Sequence, residues 1–255
     1  MTTEQRADWL QLQEITAVFD GFKALDIRHL GVDRGELRTV IGPNGAGKTT
    51  MCDVISGKTR PTSGKVFIGD QDVTGWADSA IAALGVGRKF QTPSVFDSLT
   101  VYENMELALP GRRGVFTNIF RRESTEERDR IDALLNRVHL ISRRDQPARD
   151  LSHGQRQWLE ISMLMVSGAK LLLVDEPAAG LTDHETALTA DLLLELKGEH
   201  TLIVIEHDME FVRRLGGKVT VLCEGKVLAE GSLDQVSADE RVRTAYLGRA
   251  GERSA

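Results

Sequence analysis

The stretch Gly42-Pro43-Asn44-Gly45-Ala46-Gly47-Lys48-Thr49 carries the most specific chemistry in the chain. It fits the pattern G-x-x-x-x-G-K-[ST], in which glycines let successive backbone N–H groups turn inward around a phosphate. The helix that follows such a loop adds the positive end of its dipole. Lys48 has the reach and charge for β- and γ-phosphates, the Thr49 hydroxyl suits Mg²⁺, and Thr50 suits an α-phosphate. The plain alternative is a glycine-rich turn that only caps a helix. The setting favours phosphate: Val40-Ile41 before the loop reads as a strand, and Met51, Val54 and Ile55 after it recur at helical spacing.

A second group stands at 171–177, where the apolar run Leu-Leu-Leu-Val is followed by Asp175, Glu176 and Pro177. Ligands of open α/β sheets bind at the carboxyl ends of strands. There Asp175 is suited to hold Mg²⁺ through water, and Glu176 to polarise an attacking water. An Asp-Glu pair alone would serve a turn equally well; beside a phosphate loop it gains weight. A third group, Leu151-Ser152-His153-Gly154-Gln155, opens a helical pattern through Trp158, Ile161 and Met165. Ser152 and Gln155 form a capping box, and the free N–H groups of that helix start make a second anion site.

These groups need a scaffold. The pattern predicts strands at 15–19, 24–30 and 36–41, divided by Asp20-Gly21 and Asp33-Arg34-Gly35, and another at 63–68. Gly57 and Pro61 end the helix after the phosphate loop. From 92 to 166 the patterns are mainly helical, the clearest opening with the capping box Ser124/Glu127 and continuing through Ile131, Leu134, Leu135 and Val138. The runs at 170–175 and 201–206 are apolar on both faces, as parallel strands buried in an α/β sheet are. Between them a helix opens at the Thr182/Glu185 box and stops near Gly198. The expected architecture is one domain. Its α/β core spans 12–91 and 167–235, with an antiparallel β region toward the N-terminus, a helical subdomain at 92–166 and a tail at 236–255 that frays from Ala250.

Composition agrees. The chain has 255 residues, 41% of them hydrophobic, enough to bury a core. With 32 Lys+Arg against 38 Asp+Glu the net charge is −6, which argues against a protein that coats nucleic acid. Two cysteines, Cys52 and Cys223, are too few for a disulfide framework or a zinc site. The first residues lack the apolar stretch of a secretory signal, and no run approaches the ~20 apolar residues of a spanning helix. Any membrane role is expected to come through a partner.

Together the motifs resemble the ATP-binding cassette (ABC) ATPases, over about residues 12–248. The segment 151–155 resembles that family's signature, with His153 in place of a glycine. Lys89-Phe90-Gln91 resembles the Q-loop, Gly180-Leu181-Thr182-Asp183 the D-loop, and Ile205-Glu206-His207-Asp208 the switch region. The resemblance implies a P-loop NTPase core of ABC type and ATP hydrolysis with Mg²⁺. It implies that Gln91 senses the metal or the attacking water, that His207 contacts the γ-phosphate and that Phe19 stacks on adenine. Ser152, Gly154 and Gln155 of one subunit would cover the nucleotide held by Gly42 to Thr50 of another, in a head-to-tail dimer with an identical or paralogous subunit. Two integral-membrane permeases would dock near Gln91, Val95 and Phe96, and a periplasmic or extracellular solute-binding protein would act indirectly. The chain itself would sit on the cytoplasmic face of the membrane, with no nucleic-acid partner. Within the family the wording is similar to branched-chain-amino-acid-type importers, and segments 87–100, 151–160 and 246–248 resemble the urea-transporter branch most. Urea or short amides are therefore the expected cargo, with branched-chain amino acids the alternative and a soluble, non-transport ABC ATPase a further one.

Overall fold

The computed structural model describes residues 8–89, 95–110 and 124–251, the last six by their backbone alone. Gln91, Phe90 and the start of the expected helical subdomain lie outside the described residues.

Two sheets build the molecule. The first is antiparallel, in the order β2-β1-β4-β5, from β1 (Leu10–Phe19), β2 (Phe22–Val32), β4 (Ser63–Ile68) and β5 (Gln71–Asp72). The second runs β10-β9-β3-β8-β7-β6, from β3 (Leu37–Ile41), β6 (Val86–Lys89), β7 (Leu171–Asp175), β8 (Thr201–Ile205), β9 (Lys218–Cys223) and β10 (Lys226–Gly231). It is parallel except for β10, which returns antiparallel beside β9.

Every residue of β3, β7 and β8 is buried, as runs apolar on both faces require. The two-residue period of a strand divides these side chains between two cores. Leu171, Leu173, Ile203 and Ile205 pack with Met51 and Ile55 of α1 (Lys48–Ile55) and with Leu10, Leu12 and Ile27 of the antiparallel sheet. Leu172, Val174, Leu202 and Val204 pack on the other face against α3 (Val101–Ala108), α4 (Thr125–Arg137), α5 (His153–Val166) and α6 (Asp183–Leu196). The phosphate-loop helix and the helical segment thus lie on opposite faces of one parallel sheet. Among the described residues the remaining α-helices are α2 (Asp78–Ala83), α7 (Met209–Leu215), α8 (Leu233–Ala238) and α9 (Glu240–Gly251).

The boxes expected at Ser124, Ser152 and Thr182 all cap helices reciprocally. Two more, Thr100/Glu103 and Ser232/Gln235, open α3 and α8. β1 begins at Leu10, earlier than the pattern suggests, because its N-terminal half gains partners on both sides: Leu12 pairs with Leu30 and with Val66. The stretch read as a tail is largely α8 and α9, and Val236 and Val242 pack under β9 with Val219 and Val221. α5 approaches the sheet closely at Gly87, where an added Cβ would meet Leu164 Cδ2 at 3.1 Å and Ala169 Cβ at 2.9 Å.

Candidate functional site

The phosphate loop leaves the end of β3 and enters α1. Two of its glycines are sterically required. A Cβ on Gly42 would lie 2.2 Å from Leu222 O, and one on Gly47 (φ +98°) 2.6 Å from Ala24 O. The loop is therefore pinned between β9 and the start of β2, while a Cβ at Gly45 (φ +78°) would meet nothing within 4 Å. That open concave side is where a phosphate would lie. Lys48 Nζ donates to Gly42 O (2.7 Å) and Pro43 O (3.1 Å), folded onto its own loop. Burial lowers the Lys48 pKa, opposed by the nearby Glu176 and Asp175 carboxylates.

A cleft of about 290 Å³ joins the loop residues 44–50 to Asp175 and Glu176. Its aromatic wall is Phe22. Phe19, the residue named for adenine, pairs with Phe22 across the β1–β2 turn but does not line this cleft. Both rings are exposed, 46% for Phe19 and 67% for Phe22. Phe22 was not singled out in the sequence: it precedes the strand expected at 24–30, whereas β2 begins at Phe22 itself.

Asp175 ends β7 and is buried; burial first, then Glu176, raises its pKa, while Arg88, Lys89 and Lys48 pull it down. A carboxyl whose charge is disfavoured by burial but faced by cations is a fitting ligand for Mg²⁺, with the Thr49 hydroxyl beside it in the same cleft. Glu176 turns out of the strand with φ +46°, a conformation uncommon for a side-chain-bearing residue, and its N–H donates to Ile205 O at 2.9 Å. The turn brings its Oε1 within 3.6 Å of His207 Nδ1.

Glu206 anchors this arrangement, although the sequence reading assigned it no role. It is buried; Oε1 accepts from Ala178 N (2.9 Å), and Oε2 from His207 N (2.9 Å) and Asp208 N (3.2 Å). One carboxylate thereby ties the segment after Glu176 to the segment carrying His207. An acid directly after an all-apolar strand was the available signal.

Ser152, Gly154 and Gln155 lie outside the P-loop cleft. Ser152 Oγ accepts from Gln155 N (3.2 Å) and donates to Glu185 Oε1 (2.9 Å). A Cβ on Gly154 would meet the same Oε1 at 2.7 Å, so glycine there admits the carboxylate. Glu185 also accepts from Thr182 N and Oγ1, and these bonds hold its pKa below the ordinary value. His153 is accommodated sideways: Nε2 lies 3.0 Å from Gln157 Nε2, which donates to Ala179 O at 3.3 Å, and the ring sits over Gly180. The helix opened by Ser152 is thus fastened to the loop after Glu176 within one chain.

The phosphate loop after β3, the loop carrying His207 after β8 and the carboxylate pair at the end of β7 lie at the carboxyl ends of three adjacent strands. Residues 25–179 match the family model described as ABC transporter. The chain belongs to the ABC transporter family. Residues 226–252 also match the model of the branched-chain amino acid ATP-binding cassette transporter, so this ATP-binding subunit falls in that class, and it is an ATP hydrolase. The chain is 36% identical to the high-affinity branched-chain amino acid transport ATP-binding protein LivG of Escherichia coli K12, over 91% of this chain and 94% of LivG. It resembles the ADP conformation of MJ1267, an ATP-binding cassette of an ABC transporter, with TM-score 0.83 and 29% identity, over 95% of this chain and all (100%) of that one. It also resembles a dimeric post-hydrolysis state of the cassette MJ0796 bound to ADP and Pi, with TM-score 0.74 and 27% identity, over 88% and 98% of the two chains. No helix among the described residues is long and apolar enough to cross a membrane.

Proposed function

We propose that this ATPase subunit drives import of branched-chain amino acids through separate permease subunits, hydrolysing ATP as a head-to-tail dimer. The family relatives named for branched-chain amino acid transport support this cargo over urea, for which only short stretches of wording speak. The single observation that carries the mechanism is the meeting of Glu176 and His207 at 3.6 Å beside the phosphate cleft.

In this reading Lys48 leaves its own loop carbonyls for the β- and γ-phosphates, and Thr50 donates to the α-phosphate. The tip of the β1–β2 hairpin, with Phe19 and Phe22, offers adenine a stacking surface. Thr49 and Asp175 hold Mg²⁺, which when bound offsets charge on the phosphates; Gln91 belongs to the same set in this proposal. Glu176 accepts a proton from the attacking water and His207 orients it toward the γ-phosphate. Because Ser152, Gly154 and Gln155 do not line their own cleft, they serve a second subunit's nucleotide in this reading, as a dimer such as that of MJ0796 suggests. The core sheet with its β-hairpin and the helical segment ending in α5 act as two parts of one cassette.

Glu176→Gln keeps the shape and removes the base. Its kcat, read by phosphate release, should fall about 10²–10⁴-fold with nucleotide affinity retained. Parent-like turnover would remove Glu176 from this role. Uptake of labelled leucine and of labelled urea by permease vesicles carrying the subunit decides the cargo.

A further inference from the structure

Lys89, the last residue of β6, is fully buried, and among the described residues its Nζ has no hydrogen-bond partner. A buried ammonium without partners is costly unless opposite charge stands close by. The geometry shows where that charge is. Side chains two apart on a strand share a face. Gly87 faces α5, where Leu164 covers it, while Arg88 points the other way into an ion pair with Asp53 beside α1. Lys89 therefore also faces α5. Two residues of strand advance about 6.6 Å, and four residues of helix about 6 Å. Stepping from Gly87 to Lys89 thus matches stepping from Leu164 back to Glu160, a buried acid on the same helix. At its other side Lys89 is in register with Val174, one residue before Asp175. Burial lowers the Lys89 pKa, and the nearby carboxylates oppose it, Glu160 first and then Asp175, Glu206 and Glu176.

We propose that Lys89 is a positioning residue for ATP hydrolysis: its buried charge, set between Glu160 of the signature helix and the carboxylate end of β7, holds these two segments at one spacing. The inference deepens the reading of the Asp175, Glu176 and His207 edge as the hydrolytic site and rests on it. Lys89 does not line the phosphate cleft. It acts through Glu160, which belongs to the helix begun by Ser152, and through the end of β7, where it stands in register with Val174 beside Asp175.

The full chain is tested as Lys89→Met, Glu160→Gln and the double variant, by thermal melting, ADP titration and steady-state ATPase. Methionine keeps the length and apolar stem, so packing survives while charge is lost. Lys89→Met should lower kcat about tenfold or more, with KM for ATP and ADP affinity within about threefold. The double variant should regain turnover or fold better than Lys89→Met, because removing the Glu160 charge reduces the excess of buried negative charge that Lys89→Met leaves there. Parent-like kcat in Lys89→Met, or a double variant no better than Lys89→Met in either folding or turnover, overturns the proposal. A parent chain that binds ADP but releases no phosphate would instead sink the reading of the site itself.

Discussion

Glu206→Ala is the sharpest test of how the site is held. The carboxylate is fully shielded and accepts three backbone N–H groups, from Ala178 (2.9 Å), His207 (2.9 Å) and Asp208 (3.2 Å). A hydrogen bond to a charged group contributes about 1.5–3 kcal/mol when its loss leaves a buried donor unpaired. His207 and Asp208 are exposed, so their freed N–H groups find water and each loses only about 0.5–1 kcal/mol. Ala178 is half-buried and bears most of the larger loss. Relief of burying a carboxylate offsets part of the sum. The net is about 2–4 kcal/mol, which for a chain of this size lowers Tm by about 5–15 °C. Function should suffer separately. His207 and the loop after Glu176 lose their common anchor, so kcat falls, while the P-loop, built on β3 and α1, keeps its nucleotide affinity. Differential scanning calorimetry, ADP titration and phosphate release read the three quantities. A variant melting within about 1 °C of the parent, or one with unchanged kcat, refutes the anchoring role.

Asp175→Asn should raise the melting temperature of the nucleotide-free, metal-free protein by a few degrees while abolishing Mg²⁺-dependent turnover. Burial raises the Asp175 pKa, so its charge is disfavoured in the fold: stability falls as pH rises above the unfolded value and recovers as pH falls through the raised folded value. A lower melting temperature in the asparagine variant at neutral pH would contradict that sign. Glu185 behaves oppositely. The Thr182 N–H, then Ser152, hold its pKa below the ordinary 4.5, so its contribution is complete above pH 4.5 and lost as pH falls through the lower folded value. Glu185→Gln should therefore flatten the acid limb of the stability–pH curve measured by urea melts; an unchanged limb would show that the bonds from Thr182 and Ser152 do not hold the carboxylate in solution.

Much of the site was legible because its chemistry is local in the chain. Gly42 to Thr50 is contiguous, and the strand before it and the helix after it announce themselves by period. Asp175 and Glu176 follow an apolar run that only a buried strand would carry, and three capping boxes lay in plain view. The misses have one cause. Glu206 and Lys89 look like ordinary charges at strand ends, and their importance comes from what other segments bring within reach. Phe22 lines the cleft because the β1–β2 hairpin lies beside the phosphate loop, a contact between separate segments. The last helices pack under β9, a contact made over a distance that composition does not report.

The order of residues by itself determined the phosphate loop, the carboxylate strand end, the helix starts and the family, since each depends on neighbours a few positions apart. Tertiary structure alone decided that Ser152 bonds to Glu185 outside its own cleft, that one buried glutamate ties two loops, and that the Lys89 ammonium is buried without a hydrogen-bond partner among the described residues. The physical reason is that burial, pairing of charge and close approach at Gly87 and Gly154 are properties of surfaces brought together by folding. They belong to pairs of distant segments, and no single stretch of chain contains them.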